Sequence, residues 1–158
     1  MHTPGWKAQH PAGTRPGSDH KVPPGLRTAA INRAYKRCIK AITEDNPFYF
    51  DRAAAKDAGF RDIPAPPMFA VVYSAGSVGP AVLDPDVGID FAMMVHGSQE
   101  FVWGEPVCAG DTITTETAVS DISEKAGRGF YVFESVSRNQ TGEEVVRGTW
   151  TNIVRGVA

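Results

Sequence analysis

The sequence predicts an α+β domain in which a long antiparallel sheet wraps a central helix, and three observations carry that reading. Ala65–Asp84, APPMFAVVYSAGSVGPAVLD, is a largely apolar run with no charge before Asp84. Helical from about Pro67, it would extend about 27 Å at 1.5 Å per residue. With so little polar surface it is expected to be enclosed by the rest of the domain. Downstream lie long segments rich in β-branched and alternating apolar residues, which read as strands. Gly127-Arg128-Gly129 and Thr141-Gly142 punctuate them at short spacing, the mark of an antiparallel meander. Helices early and long strands late place the chain in the α+β class.

In chain order, residues 1–25 are dense in Pro, Gly, Lys and His without apolar periodicity, which predicts a flexible tail ahead of a single domain spanning 26–158. His2, His10 and His20 lie in this tail without ligand-like spacing and read as solvated. Thr28 is a candidate N-cap for a helix. Ile31, Tyr35, Cys38, Ile39 and Ile42 form its apolar stripe, and Asn32, Arg33, Lys36, Arg37 and Lys40 its wet face. Pro47 pushes Asn46 out of helical geometry and ends it. A short helix is expected over Asp51–Ala58, capped by Asp51 and closed by Gly59. Pro64-Ala65-Pro66-Pro67 then makes a stiff extended lead-in, with Pro67 suited to a first helical turn. Gly76, Gly79 and Pro80 are expected to loosen or kink the later turns.

The strands are expected at Phe91–Trp103, Thr112–Ser123, Phe130–Asn139 and Glu143–Arg155. In the first, strict alternation would put Phe91, Met93, Val95, Phe101 and Trp103 on one face and His96, Ser98 and Glu100 on the other. Gly97 marks a bulge or a close contact. His96 reads as structural.

At 158 residues and a formal net charge of −2, the chain can build a sizeable core and carries no basic footprint for nucleic acid or anionic membranes. The central apolar run is too short, and too rich in Gly, Pro and Ser, for a membrane span. The first residues lack the apolar region of a secretory signal. The two cysteines, Cys38 and Cys108, build no disulfide framework, and a cytoplasmic setting is expected. Asn139-Gln140-Thr141 reads as a hairpin turn. No cluster has metal-ligand spacing and no Gly-rich phosphate loop follows a strand, so no metal or cofactor is expected.

Two separated segments, NPFYFDRAAAKDAGFRDIPAPPMF (Asn46–Phe69) and MVHGSQEFVWGEPVCAGDTI (Met94–Ile113), resemble the MaoC-like dehydratase/hydratase family. The likeness covers roughly Ile31 to Arg155. It is closest to the N-terminal MaoC-like group, which includes the non-catalytic subunit of heterodimeric (3R)-hydroxyacyl-ACP dehydratases. It implies a hot-dog fold and the addition or removal of water at an acyl thioester. Active members carry Asp-x-Asn-Pro-x-His before the central helix; here Glu44 stands at the Asp position and Tyr49 at the His position, with Asn46 and Pro47 retained. A phenol with an ordinary pKa near 10 is a poor base at neutral pH. The family's His-Gly before the helix is replaced by Ala65-Pro66-Pro67, and the prolines carry no N–H to polarise a thioester carbonyl.

Three functions are therefore open. The chain is a non-catalytic subunit shaping an acyl channel beside a catalytic MaoC-like partner, for an acyl-CoA or acyl-ACP substrate. Otherwise it is a self-sufficient homodimeric hydratase using Glu44, Asp45 and Tyr49, or an acyl-thioester-binding protein without chemistry. Met68, Phe69, Val72, Tyr73, Gly76, Phe91 and Met93 are the candidate channel lining, set against the plainer reading that they fill the core.

Overall fold

A computed structural model describes residues 37–156. The tail at 1–25, its three histidines, the candidate cap Thr28 and the first turns of the helix after it lie outside the described residues. Residues 37–41 are helical, with Ile39 buried and Cys38 partly so. A 3-10 turn, Pro47–Tyr49, follows, its Asn46 cap accepting from the Phe48 N–H. Helix α1, Arg52–Asp57, starts where the Asp51 side chain accepts from the Ala54 N–H at 2.8 Å. It ends before Gly59, whose φ of +91° suits glycine.

Pro67–Phe69 forms a 3-10 turn that runs into helix α2, Ala70–Val82. The expected loosening at Gly76, Gly79 and Pro80 does not interrupt α2, which keeps Pro80 inside it. The carbonyl that Pro80 leaves without a donor belongs to Gly76, on the exposed side of the helix where water can reach it.

Four strands follow: β1 (Met94–Trp103), β2 (Thr114–Lys125), β3 (Arg128–Arg138) and β4 (Glu144–Arg155). They pair antiparallel in the order β1-β4-β3-β2. The β2–β3 hairpin turns on Ala126 and Gly127, both at positive φ, as a two-residue turn matched to the sheet's twist requires. The β3–β4 turn is held by Asn139, whose carboxamide oxygen accepts from Thr141 and Glu143.

The first predicted strand needs two corrections. Phe91–Met93 is a 3-10 turn capped by Asp90, so pairing begins only at Met94. The register slips between His96 and Ser98, leaving Gly97 as the extra residue of a bulge. A Cβ there would stand 2.9 Å from Ile153. Because the bulge reverses the alternation, Met94 before it and Phe101 after it pack toward one core cluster, and Val95 does not share the face of Phe101 and Trp103. A second slip, between Val119 and Asp121, moves β2 burial from Thr115 and Thr117 to Ile122.

Helix α2 lies across β2 and β3. Its inner face is small (Ala70, Ser74, Ser77, Val78, Val82), which brings backbone close to the sheet. The hydroxyls of Ser74 and Ser137 stand 3.3 Å apart, and those of Ser137 and Thr115 2.8 Å apart. Beside this polar seam, Val78 and Val82 meet Ile122, Tyr131, Phe133, Trp150 and Val154 in the main core.

The expectation of an enclosed helix is met on one side only. Met68, Val72 and Leu83 are 60%, 57% and 64% exposed, and Gly76 between them is also open. The sheet has one layer to offer this helix and spends it on the serine and valine face; within the described residues nothing covers the other.

Candidate functional site

The segment before α2 is where the catalytic motif of the resemblance falls. Glu44 turns its carboxylate back on the chain, where one oxygen accepts from the backbone N–H groups of Asp45 and Asn46 at 3.1 and 3.0 Å. Asp45 is exposed. Tyr49 is half-buried, its ring tilted against that of Phe48 with centroids 4.4 Å apart. Burial, and then the negative charge of Glu44, hold its phenol above its ordinary pKa. It is therefore protonated at neutral pH, a donor and not a base. His96, the one histidine among the described residues, is exposed on β1 and makes an edge contact with Trp150 at 6.4 Å; it makes no hydrogen bond to Glu44.

Tyr49 also forms one wall of a cavity of about 240 Å³. Phe48, Phe60 and the lead-in Pro64, Ala65, Pro66 and Pro67 line one side; Trp103, Gly104, Glu105, Pro106 and Val107 line the other, with Tyr73 of α2 and Val145 of β4. Gly104 lets the chain turn there, since a Cβ would strike the Glu144 carbonyl. Tyr73 is pushed well above the ordinary phenol pKa by burial.

The two sides are fastened together by backbone bonds. Ala65 N–H donates to Val107 O at 2.7 Å and Ala109 N–H to Ile63 O at 2.8 Å, around a bridge between Pro64 and Cys108. Asp111, 3% exposed, ties the same two segments to the β3–β4 turn. One carboxylate oxygen accepts from Arg61 and from the Cys108 N–H, the other from the Gln140 side chain at 3.1 Å. Hydrogen bonding to Asp111 raises the Arg61 pKa further, so this cation is permanent.

Of the seven predicted lining residues, only Tyr73 reaches this cavity. Phe69 is buried against Ile39 in a separate core cluster. Met68, Val72 and Gly76 stand on the open face of α2, and Phe91 and Met93 are exposed before β1. The sequence reading missed Phe48, Phe60, Trp103 and the Asp111 clasp. The aromatics inside the two quoted segments, Phe48, Phe60 and Trp103, were the available signal for the walls. An Asp after Gly110 carries no pattern that announces burial.

Cys38 and Cys108 are free thiols, and burial raises the Cys108 pKa. Among the described residues no three potential metal ligands converge, and no helix is long and apolar enough to cross a membrane.

The model of one protein family, described as FAS1-like, dehydratase domain region, matches residues 28–147. A UPF0336 protein of Thermobifida fusca is 41% identical over 118 residues, which cover 75% of this chain and 78% of that protein. A UPF0336 protein of Saccharopolyspora erythraea is 39% identical over 119 residues, 75% of this chain and 76% of the other. Among solved structures, a C-terminally truncated HadBC (3R-hydroxyacyl-ACP dehydratase) complex from Mycobacterium tuberculosis superposes with a TM-score of 0.68 at 26% identity, covering 77% of this chain and 85% of that one. A MaoC-like dehydratase superposes at 0.74 and 20% identity over 95% of this chain and 43% of its own length, a likeness of fold. The chain belongs to the FAS1-like dehydratase-region family and has the hot-dog fold of the MaoC-like dehydratases.

Proposed function

We propose that this chain is a non-catalytic subunit of a (3R)-hydroxyacyl-thioester dehydratase, or enoyl-thioester hydratase, and shapes the acyl channel beside a catalytic MaoC-like partner. The observation that carries this reading is Tyr49: where proton transfer needs a base near neutrality, the chain offers a phenol kept protonated by burial and by Glu44. Glu44 is the remaining carboxylate, and its bonded oxygen is occupied by two backbone amides. Losing a well-placed general acid/base costs on the order of 10²–10⁴ in rate.

The open face of α2 (Met68, Val72, Gly76) supports the subunit role, and Phe91 and Met93 add apolar surface before β1. Apolar surface left outside is the usual mark of an interface or a ligand groove. In this reading the partner's sheet and this face enclose the acyl chain, and the catalytic carboxylate and imidazole come from the partner. The heterodimeric HadBC dehydratase among the structural relatives supports the same arrangement.

The test is hydration of crotonyl-CoA by the full chain alone and together with a MaoC-like protomer carrying an intact Asp-x-Asn-Pro-x-His. The lone chain should turn over at least about a hundredfold more slowly than the pair. Turnover by the lone chain at the rate of the pair, abolished by Glu44→Gln, would establish the self-sufficient homodimer instead. Saturable crotonyl-CoA binding with no turnover in either preparation would favour an acyl-thioester-binding protein.

A further inference from the structure

We infer that the face of the sheet turned away from α2 is a docking surface for a second copy of this chain, the cations at one end of each face meeting carboxylates of the other. This surface is separate from the open face of α2, and the inference does not rest on the subunit reading.

Strand alternation separates the two faces of the sheet. In β3, Tyr131, Phe133 and Ser135 are buried on the helix side, so Arg128, Phe130, Val132 and Glu134 stand on the other. In β4, Trp150, Asn152 and Val154 are buried, which leaves Thr149, Thr151, Ile153 and Arg155 on that same outer face. Ile153 pairs with Phe130 on one side and Val95 on the other, an apolar row with Val132 beside it. Phe130, Val132 and Ile153 are only partly buried and join no core cluster.

The charges on this face are sorted by end. Toward the β2–β3 turn, Lys125 pairs with Arg128 and Arg128 with Arg155, which sets three exposed cations side by side. Like charges directly opposite one another destabilise a sheet. Farther along, Thr149 lies between Glu100 and Glu134, both exposed. Among the described residues no ion pair relieves any of the five.

The two charged rows are related by symmetry. Arg128 and Glu134 lie six positions apart, about 20 Å along the strand, and so do Arg155 and Thr149. The midpoints are Tyr131 and Asn152, which pair with each other. A two-fold axis along that row, between two such faces, lays Arg128 of each copy over Glu134 of the other. Arg155 then falls between Glu134 and Glu100 of the second copy, Phe130 meets Val132, and Asp121 meets the neutral Ser123. A patch that complements itself in this way is what an isologous contact needs, and sheets do pack face to face in this aligned manner, about 10 Å apart. A foreign protein would have to reproduce the same spacing of acids and apolar groups; a second copy already has it. Four strands by six residues give a footprint on the order of 400 Å² a side, which makes the contact a weak one.

The experiment is sedimentation equilibrium of the full chain at concentrations up to about 1 mM, the range that a weak contact requires. The mass should rise toward that of two copies, and about 1 M salt, with a screening length near 3 Å, should reverse it. Arg128→Glu and Glu134→Arg should each weaken the association at least about tenfold, because the two-fold repeats each like-charge contact. An equimolar mixture of the two variants should associate again, since both contacts then join opposite charges; this also shows that the variants are folded. Val72→Asn, on the open face of α2, should leave the association unchanged. A mass of one copy at about 1 mM, leaving the face to solvent, to another segment of the chain or to a different protein, would overturn the assignment. So would insensitivity to both charge variants, a mixture no stronger than either variant alone, or loss of association in Val72→Asn, which would move the contact to α2.

Discussion

The two faces of helix α2 are built from similar residues and meet opposite fates. Inward, Ser74, Ser77, Val78 and Val82 are buried on the sheet side and Ala70 against Val107, Val145 and Val146; outward, Val72 and Gly76, with Met68 just before the helix and Leu83 just after it, are open, although the outer set is the more apolar of the two. Hydrophobicity therefore does not decide which side the sheet takes. Close packing contributes: serine and alanine let the helix settle onto the strands, and the paired hydroxyls of Ser74, Ser137 and Thr115 keep the seam satisfied. Met68 and Val72 face outward, where no described residue covers them, and this is the surface the proposed subunit reading would use.

The comparison breaks most readily in the core under the inner face. Phe133 is fully buried there, so Phe133→Ala should destabilise the chain by about 3–5 kcal/mol, read from the midpoint of a denaturant titration. A loss below about 1 kcal/mol would mean that the helix does not rest on β3 as described.

Next in size is the clasp that holds the cavity walls together. Asp111→Asn keeps the shape but loses the charge that Arg61 and the Cys108 N–H bond to, and should cost about 1–3 kcal/mol in the same titration. Arg61→Gln should cost less, because half of that side chain already faces water. Reversal of that order would place the weight of the network on the guanidinium and not on the buried carboxylate.

The outer face should answer differently. Val72→Asn is expected to change the stability of the lone chain by no more than about 0.5 kcal/mol, the usual range for surface substitutions. In the proposed subunit reading it should nonetheless weaken co-purification with a catalytic MaoC-like protomer. If Val72→Asn instead destabilises the lone chain as a core substitution does, the outer face is covered by the chain itself or by a second copy.

Much of this was legible in advance, and the failures have a common cause. The α1 cap at Asp51, the Gly59 stop and the turns at Gly127 and Gly142 rest on local chemistry, and the structure keeps them. The strand order and the bulge at Gly97 rest on which residues meet across the sheet; the bulge could be suspected from a glycine, but not its reversal of the alternation in β1. The degenerate motif was readable residue by residue, whereas the direction in which Glu44 turns was not, because that depends on two backbone amides freed by the local turn. The cavity was least legible of all. It joins segments far apart in the chain (Tyr49 and Trp103 are 54 positions apart), and periodicity along a chain says nothing about what two loops bring together.

The smallest effect belongs to the phenols, and it tests the base-or-donor distinction directly. Tyr73 is raised by burial alone, Tyr49 by burial and by Glu44. A folded-state pKa above the ordinary phenol value near 10 means that the contribution of burying the neutral ring is complete below that value and is lost as pH climbs toward the folded pKa. Stability should therefore be flat in these groups from neutrality to about pH 9.5 and fall above it. Tyr73→Phe should flatten the alkaline limb more than Tyr49→Phe, since Tyr73 is held the higher by its deeper setting in α2. Absorbance near 295 nm reports phenolate directly and should show no ionisation attributable to Tyr49 near pH 7. Phenolate at that pH, lost in Tyr49→Phe, would make Tyr49 a competent base and overturn the reading of the segment before α2 as non-catalytic.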